Sequence, residues 1–342
     1  MIALKALITG VTGQDGAYLS KLLLEKGYKV YGMARRLSTP NYWRMEELGV
    51  RNDVMICDGD LMDEHSLSHL IKIIQPHEVY NLAAQSFVGT SWQQPLLTAD
   101  VNAMGTIRLL NAIKLYCPSA KFYQASTSEM YGNSSTPLGG GDQINNMQDE
   151  NTPLHPRSPY AISKLFSHWM TINYRESFSL FACSGILFNH ESPLRGIEFV
   201  TRKITDGVAR IHHKMADHIA LGNLEARRDW GFAGDYVEAM WLMLQQEKPD
   251  DFVISTGTNH SVRDFLDAAF AEIGITDWTP YVRHDPQFNR PAEVHELLGK
   301  SDKAKKVLGW EPKVKLKELV KMMVEADLRH VAVEKATKAA MK

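Results

Sequence analysis

Residues 3–9 form a short apolar run that ends in Gly10, and glycines recur at Gly13 and Gly16 as an amphipathic stretch begins. That succession calls for a strand, a turn too tight for side chains, and a helix whose first N–H groups lie open. Such a helix start holds a pyrophosphate through its free donors and its dipole, and the strand–turn–helix setting gives the glycine pattern its meaning. Gln14 and Asp15 fall inside the same turn.

The same alternation continues along the first half of the chain. Apolar runs at 29–33, 54–58, 78–82, 121–125 and 181–187 alternate with amphipathic stretches at 17–26, 64–75 and 100–116. The pattern predicts a doubly wound, Rossmann-like parallel sheet in an α/β fold. Beyond residue 189 the alternation weakens to a helix over 199–212, a strand over 218–221, a helix over 236–247 and shorter pieces. The expected division is a dinucleotide domain from 1–188 and 232–257, a smaller interleaved α/β substrate lobe from 189–231 and 258–332, and a fraying tail from 333–342. A polar stretch over 133–151 is long for a compact domain and reads as a functional loop, a lid among the options.

With 342 residues, 44% of them hydrophobic, the chain can bury a large core. A net charge of -2 offers no general field for nucleic acid or an anionic membrane, so neither is an expected partner. Cys57, Cys117 and Cys183 stand far apart and read as buried reduced thiols in a cytoplasmic protein. The N-terminus lacks the features of a signal peptide, and no apolar run is long enough to span a bilayer. His212, His213 and His218 lack carboxylates at ligand spacing, so no metal is expected.

The second strand ends in Ala34-Arg35-Arg36, where an acid would bind a ribose 2'-hydroxyl and arginine accommodates a 2'-phosphate. NADP is therefore the expected cofactor, the alternative being arginines that solvate a surface or contact a neighbouring subunit. Asp60 and Leu61 follow the third strand where an adenine edge would be read, and Leu82, Ala83 and Ala84 place small residues along the dinucleotide path.

Tyr160 and Lys164 are four apart on a helix that Ser158 and Pro159 are suited to start. A nearby ammonium favours phenolate, so Lys164 is expected to make Tyr160 an acceptor for a hydroxyl proton. The strand end Ser126-Thr127-Ser128-Glu129 delivers hydroxyls and a carboxylate into the crevice where such folds hold ligands. Oxidising an alcohol needs no carboxylate there, whereas removing a carbon-bound proton does.

At this point the chain resembles the extended short-chain dehydrogenase/reductases and, within them, the GDP-mannose 4,6-dehydratases. The resemblance rests on the glycine turn, on Gln124-Ala125-Ser126-Thr127-Ser128-Glu129 and on Leu187-Phe188-Asn189-His190-Glu191-Ser192-Pro193. Further motifs are Phe199-Val200-Thr201-Arg202-Lys203, Gly222-Asn223-Leu224 with Arg228-Asp229-Trp230, and Arg290-Pro291-Ala292-Glu293-Val294. It implies Thr127, Glu129, Tyr160 and Lys164 as the catalytic set. It implies that Leu187, Asn189, His190 and Arg195 join the cofactor site, and that Ser86, Ser128, Glu129, Asn189, Val200, Lys203, Arg228, Arg290 and Glu293 surround a GDP-linked sugar. It also implies a homodimer or homotetramer.

The chemistry implied is oxidation at sugar C4, removal of the C5 proton by Glu129, loss of the C6 hydroxyl as water and return of the hydride to C6. In two places the chain departs from the pattern: it has Leu194-Arg195 where the pattern has two arginines after Glu-Ser-Pro, and its stretch over 133–151 is longer. A GDP-manno-heptose is a competing substrate, since the stretch over 133–151 is longer than the pattern's. An epimerase or 4-ketoreductase, or a protein that senses NADP without turnover, are the other readings.

Overall fold

A computed structural model describes residues 3–134, 136–137, 144–145, 147–288, 292 and 294–341. Its main sheet is built from β1 (Lys5–Thr9), β2 (Lys29–Ala34), β3 (Met55–Asp58), β4 (Glu78–Asn81), β5 (Lys121–Thr127), β6 (Ala182–Leu187) and β7 (Asp251–Ile254). All neighbours pair in parallel in the order β7-β6-β5-β4-β1-β2-β3. The order reverses between β1 and β4, so the connections leaving these strands part and open a crevice at the carboxyl edge.

The strands alternate between two cores. In β1, Ala6 and Ile8 enter the cluster beneath helices α1 (Gln14–Glu25) and α6 (Ala233–Leu244), while Leu7 enters the one beneath α2 (Glu64–Ile74) and α3 (Gly105–Tyr116). A strand covered on both faces needs apolar residues at every position, which is why these runs are continuous. Helix α4 (Pro159–Phe178) lies against β5 and β6. Cys117 and Cys183 are buried free thiols, but Cys57 is only half-buried, because β3 is the sheet's edge.

Outside the main sheet, a strand at Arg227–Phe232 pairs in parallel with Asn189–Glu191 and Glu296–Leu297 and antiparallel with Asn259–Ser261. Beside it, α5 (Val200–His212), α7 (Val262–Ala271) and α8 (Leu316–Ala340) close a third core around Trp230, Phe265 and Met323. Several element bounds differ from the expectation. Helix α1 starts at Gln14 rather than 17, because Gly13 is its N-cap. Residues Asp100–Met104 form a π-helical turn ahead of α3. Within the 133–151 stretch, residues 135, 138–143 and 146 lie outside the described residues, and with them its reading as a lid, while Gln148 bridges to Gly299 and Glu150 accepts from the Val253 amide at 2.8 Å.

No separate tail begins at 333. Helix α8 continues to Ala340, because Glu334 pairs with Arg210 at 2.9 Å and Lys335 donates to the His213 carbonyl at 2.8 Å. Its inner face carries Asp327, fully buried, which accepts from Arg202 at 2.6 Å and from Thr205 at 2.6 Å. Removing one partner of a buried pair strands the other charge, so Asp327→Ala should lower stability by about 3–5 kcal/mol in urea unfolding. A loss under about 1 kcal/mol would show that the pair does not join α5 to α8.

Candidate active site

The glycine turn forms one wall. Gly10 has φ +69°, and a Cβ there would lie 2.8 Å from the Ala83 backbone; at Gly16 it would lie 2.5 Å from the Gly10 carbonyl. Backbone meets backbone at both places, which leaves the start of α1 bare, and no side chain caps it. This is a cradle with the shape and donors for a dinucleotide pyrophosphate.

The side chains of Gln14, Asp15 and His190 turn toward one another. His190 Nε2 lies 2.8 Å from Asp15 Oδ2, its Nδ1 lies 2.8 Å from the Phe188 carbonyl, and its ring stacks on Tyr236. Both partners are acceptors, an arrangement that favours the doubly protonated imidazole. Burial opposes both charges, yet the pairing wins: His190 is raised and Asp15 lowered from their ordinary values. Gln14 donates to the His190 carbonyl at 3.1 Å and accepts from Ser192 at 2.7 Å. Together they latch the glycine helix to the segment after β6.

Arg35 and Arg36 stand exposed past β2, without an ion pair among the described residues. Asp60 is half-buried and accepts from the Met62 amide at 3.0 Å, while Leu61 is buried. The amides of Leu82 and Ala83 each donate to Thr9 Oγ1 at 3.0 Å, Ala84 follows, and Ser86 is exposed at the mouth.

Across the crevice, β5 ends at Thr127, which accepts from the Glu129 amide at 3.3 Å as Ser128–Met130 turn into a 3-10 helix. Thr127, Ser128 and Glu129 are all buried. Ser158 caps α4 by accepting from the Ala161 amide at 3.1 Å, and Pro159 occupies the first turn. Tyr160 therefore faces β5, its phenol within hydrogen-bonding reach of Thr127 and within the field of Glu129.

Lys164 Nζ donates to the Ala125 carbonyl at 2.9 Å, and burial brings its pKa down to about 8. Burial pushes Tyr160 up to about 12, with Thr127 and Arg195 lowering it and Glu129 and Asp15 raising it. Without ligands the phenol is thus a proton donor, and the charge that would turn it into an acceptor is not supplied by Lys164 alone.

The remaining residues line the lobe side. Leu187 is buried at the end of β6, and Asn189 is half-buried beside Trp230. Arg195 lies 3.0 Å from Glu191 and 3.6 Å over the Phe199 ring. Val200 is exposed at the start of α5, Lys203 sits 3.2 Å over Phe288, and Arg228 is buried. Arg290 and Glu293 lie outside the described residues. Leu194 departs from the arginine pattern and is buried in the core beneath α1.

Comparison with known proteins agrees with this arrangement. The family model described as GDP-mannose 4,6 dehydratase matches residues 7–323. The chain belongs to the GDP-mannose 4,6-dehydratase family. GDP-mannose 4,6 dehydratase 1 of Arabidopsis thaliana is 51% identical over 340 residues, covering 96% of this chain and 91% of that protein. The human GDP-mannose 4,6 dehydratase is 47% identical over 348 residues, covering 94% and 91%. Among solved structures, a Thermus thermophilus UDP-glucose 4-epimerase in complex with NAD is 26% identical with a TM-score of 0.80, covering 95% of this chain and 99% of that one. A Streptomyces venezuelae dTDP-glucose 4,6-dehydratase, at 21% identity and a TM-score of 0.83 over 96% and 98%, shares the fold.

Three buried polar residues of this family member, Thr9, Asn81 and Asn102, are not marked by any motif in the sequence. Thr9 donates to Asn81 at 2.8 Å, and Asn81 donates to Gln124 at 2.8 Å, a chain that crosses three strands beneath the crevice. Asn102, in the π-helical turn, holds both backbone groups of Gln85 and donates to Ser163 at 3.0 Å. A polar residue closing an apolar strand, as Thr9 does, was the available signal.

The Lys164 ammonium gives a pH test. Its folded pKa, about 8, lies below the ordinary 10.5, so the unfolded chain holds the proton longer and stability rises with pH across that window. Lys164→Met removes this rise. The difference between variant and wild type should shift in favour of wild type by on the order of 3 kcal/mol from pH 8 to 10.5, read from urea midpoints. Curves that stay parallel would place the ammonium in water.

Proposed function

We propose that the protein is an NADP-dependent hydro-lyase that converts GDP-mannose to GDP-4-keto-6-deoxymannose, with Thr127, Glu129, Tyr160 and Lys164 as its catalytic residues. The observation that carries the reading is the buried Glu129 carboxylate beside the Thr127–Tyr160 contact at the carboxyl edge of β5. The family supports GDP-mannose as substrate, and the exposed Arg35 and Arg36 past β2 support NADP over NAD.

A nicotinamide dinucleotide held by the turn of Gly10, Gly13 and Gly16 would supply hydride transfer between sugar C4 and C6 and, when oxidised, a positive charge that favours phenolate at Tyr160. Tyr160 takes the C4 hydroxyl proton while Lys164, fixed on the Ala125 carbonyl, holds the helix face beside β5. The resulting ketone acidifies the C5 hydrogen, and Glu129 removes it. Protonated Glu129, with Thr127 assisting, gives that proton to the departing C6 hydroxyl, which leaves as water; once the hydride is on C6, the Tyr160 phenol returns its proton to C5. The sugar loses one water, and no net oxidation occurs.

In this reading Lys203 and Arg228, with Arg290, neutralise the diphosphate, and Glu293 binds ribose hydroxyls or a guanine N–H edge. Asn189, Ser86, Ser128 and Val200 complete the sugar and nucleotide contacts, and the assembly is a homodimer or homotetramer.

Glu129→Gln keeps the shape and removes the base. Turnover of GDP-mannose should fall about 10²–10⁴-fold, C5 exchange with solvent deuterium should vanish, and NADPH affinity should stay unchanged. Turnover within about tenfold of wild type would remove Glu129 from its role. Parallel incubation with a GDP-manno-heptose, followed by mass spectrometry for loss of water, identifies the preferred sugar.

A further inference from the structure

Arg44 lies eight residues beyond Arg36, in the short helix Trp43–Glu47. Its Nε donates to the Leu194 carbonyl at 2.7 Å, its Nη1 donates to the Thr12 carbonyl at 3.3 Å, and its guanidinium stacks over Trp43 at 4.5 Å. Thr12 belongs to the glycine turn. Arg44 therefore grips the outside of the cradle and ties it to the turn after Glu-Ser-Pro.

What sets Arg44 apart is its charge balance. Arg195 is paired with Glu191 at 3.0 Å, and Arg202 with Asp327 at 2.6 Å. Among the described residues no carboxylate lies within 4.0 Å of Arg44, whose hydrogen-bond partners are neutral carbonyls. Burial and the charges of Arg195 and Arg202 disfavour its cation, and only Glu198, at longer range, supports it. A part-buried guanidinium with no acid partner costs free energy that a simple strap does not need, since a neutral donor would serve two carbonyls as well. It keeps a full charge and unused N–H donors beside an uncapped helix start, where the potential is already positive.

Position 194 contributes no charge of its own. Leu194 is buried, and the guanidinium of Arg44 lies against that residue's carbonyl. We propose that Arg44 is a phosphate-binding residue of the dinucleotide site, reaching a phosphate of the cofactor from the flank of the glycine turn. The inference rests on the nicotinamide-dinucleotide reading above.

The test is equilibrium binding, with no turnover involved. NADPH and NADH are titrated by fluorescence against wild type, Arg44→Met and Arg44→Lys at several salt concentrations, with thermal melts as a folding control. Arg44→Met should weaken NADPH roughly tenfold to hundredfold and flatten the salt dependence of its Kd, because one screened charge contact is gone. Arg44→Lys should keep the wild-type salt dependence. If NADPH alone is affected, the group bound is the ribose 2'-phosphate; if NADH weakens equally, it is the pyrophosphate. Weakening with an unchanged salt dependence, or unchanged affinity in a folded Arg44→Met, would overturn the proposal and leave Arg44 a strap. A wild-type protein that binds neither dinucleotide would instead defeat the cofactor reading itself.

Discussion

Nothing larger than hydrogen fits between Gly10 and the backbone of Ala83, and the crevice depends on that contact. It brings the exits of β1 and β4 together where the strand order reverses, so the bare start of α1 faces the ends of β4 and β5. Thr9, at the end of β1, holds the amides that follow β4, so strand end and glycine turn form one rigid unit. The Asp15–His190 ion pair then carries that unit across to the segment leading into the lobe.

Burial sets the chemistry of the opposite wall. The same exclusion of water that pushes Tyr160 up to about 12 pulls Lys164 down to about 8, so both groups lean toward their neutral forms before a ligand arrives. A charged cofactor or substrate therefore has large leverage over proton position, because opposing fields act strongly where solvent does not screen them. Glu129 adds a negative charge close enough to raise the phenol further.

The sheet could be read in the sequence because strands covered on both faces must be apolar throughout, and the glycine turn because only glycine permits its contacts. Tyr160 and Lys164 were legible by helical spacing, with Ser158 and Pro159 marking the helix start. The network around them was not. Asp15 and His190 are separated by 175 positions, and no local pattern announces that they pair. Periodicity likewise gave no sign of the π-helical turn at Asp100–Met104, nor of the packing that carries α8 to Ala340. Helical spacing shows that Lys164 and Tyr160 share a face, but not that the ammonium is held on the Ala125 carbonyl.

In the proposed reaction one site oxidises C4, eliminates across C5 and C6, and returns the same hydride within a single bound sugar. GDP-mannose carrying deuterium at C4 tests this most directly, with the product examined by mass spectrometry and NMR. The account predicts loss of one water with the deuterium retained and now on C6. Deuterium released from the sugar, or a 4-keto product that has lost no water, would contradict it.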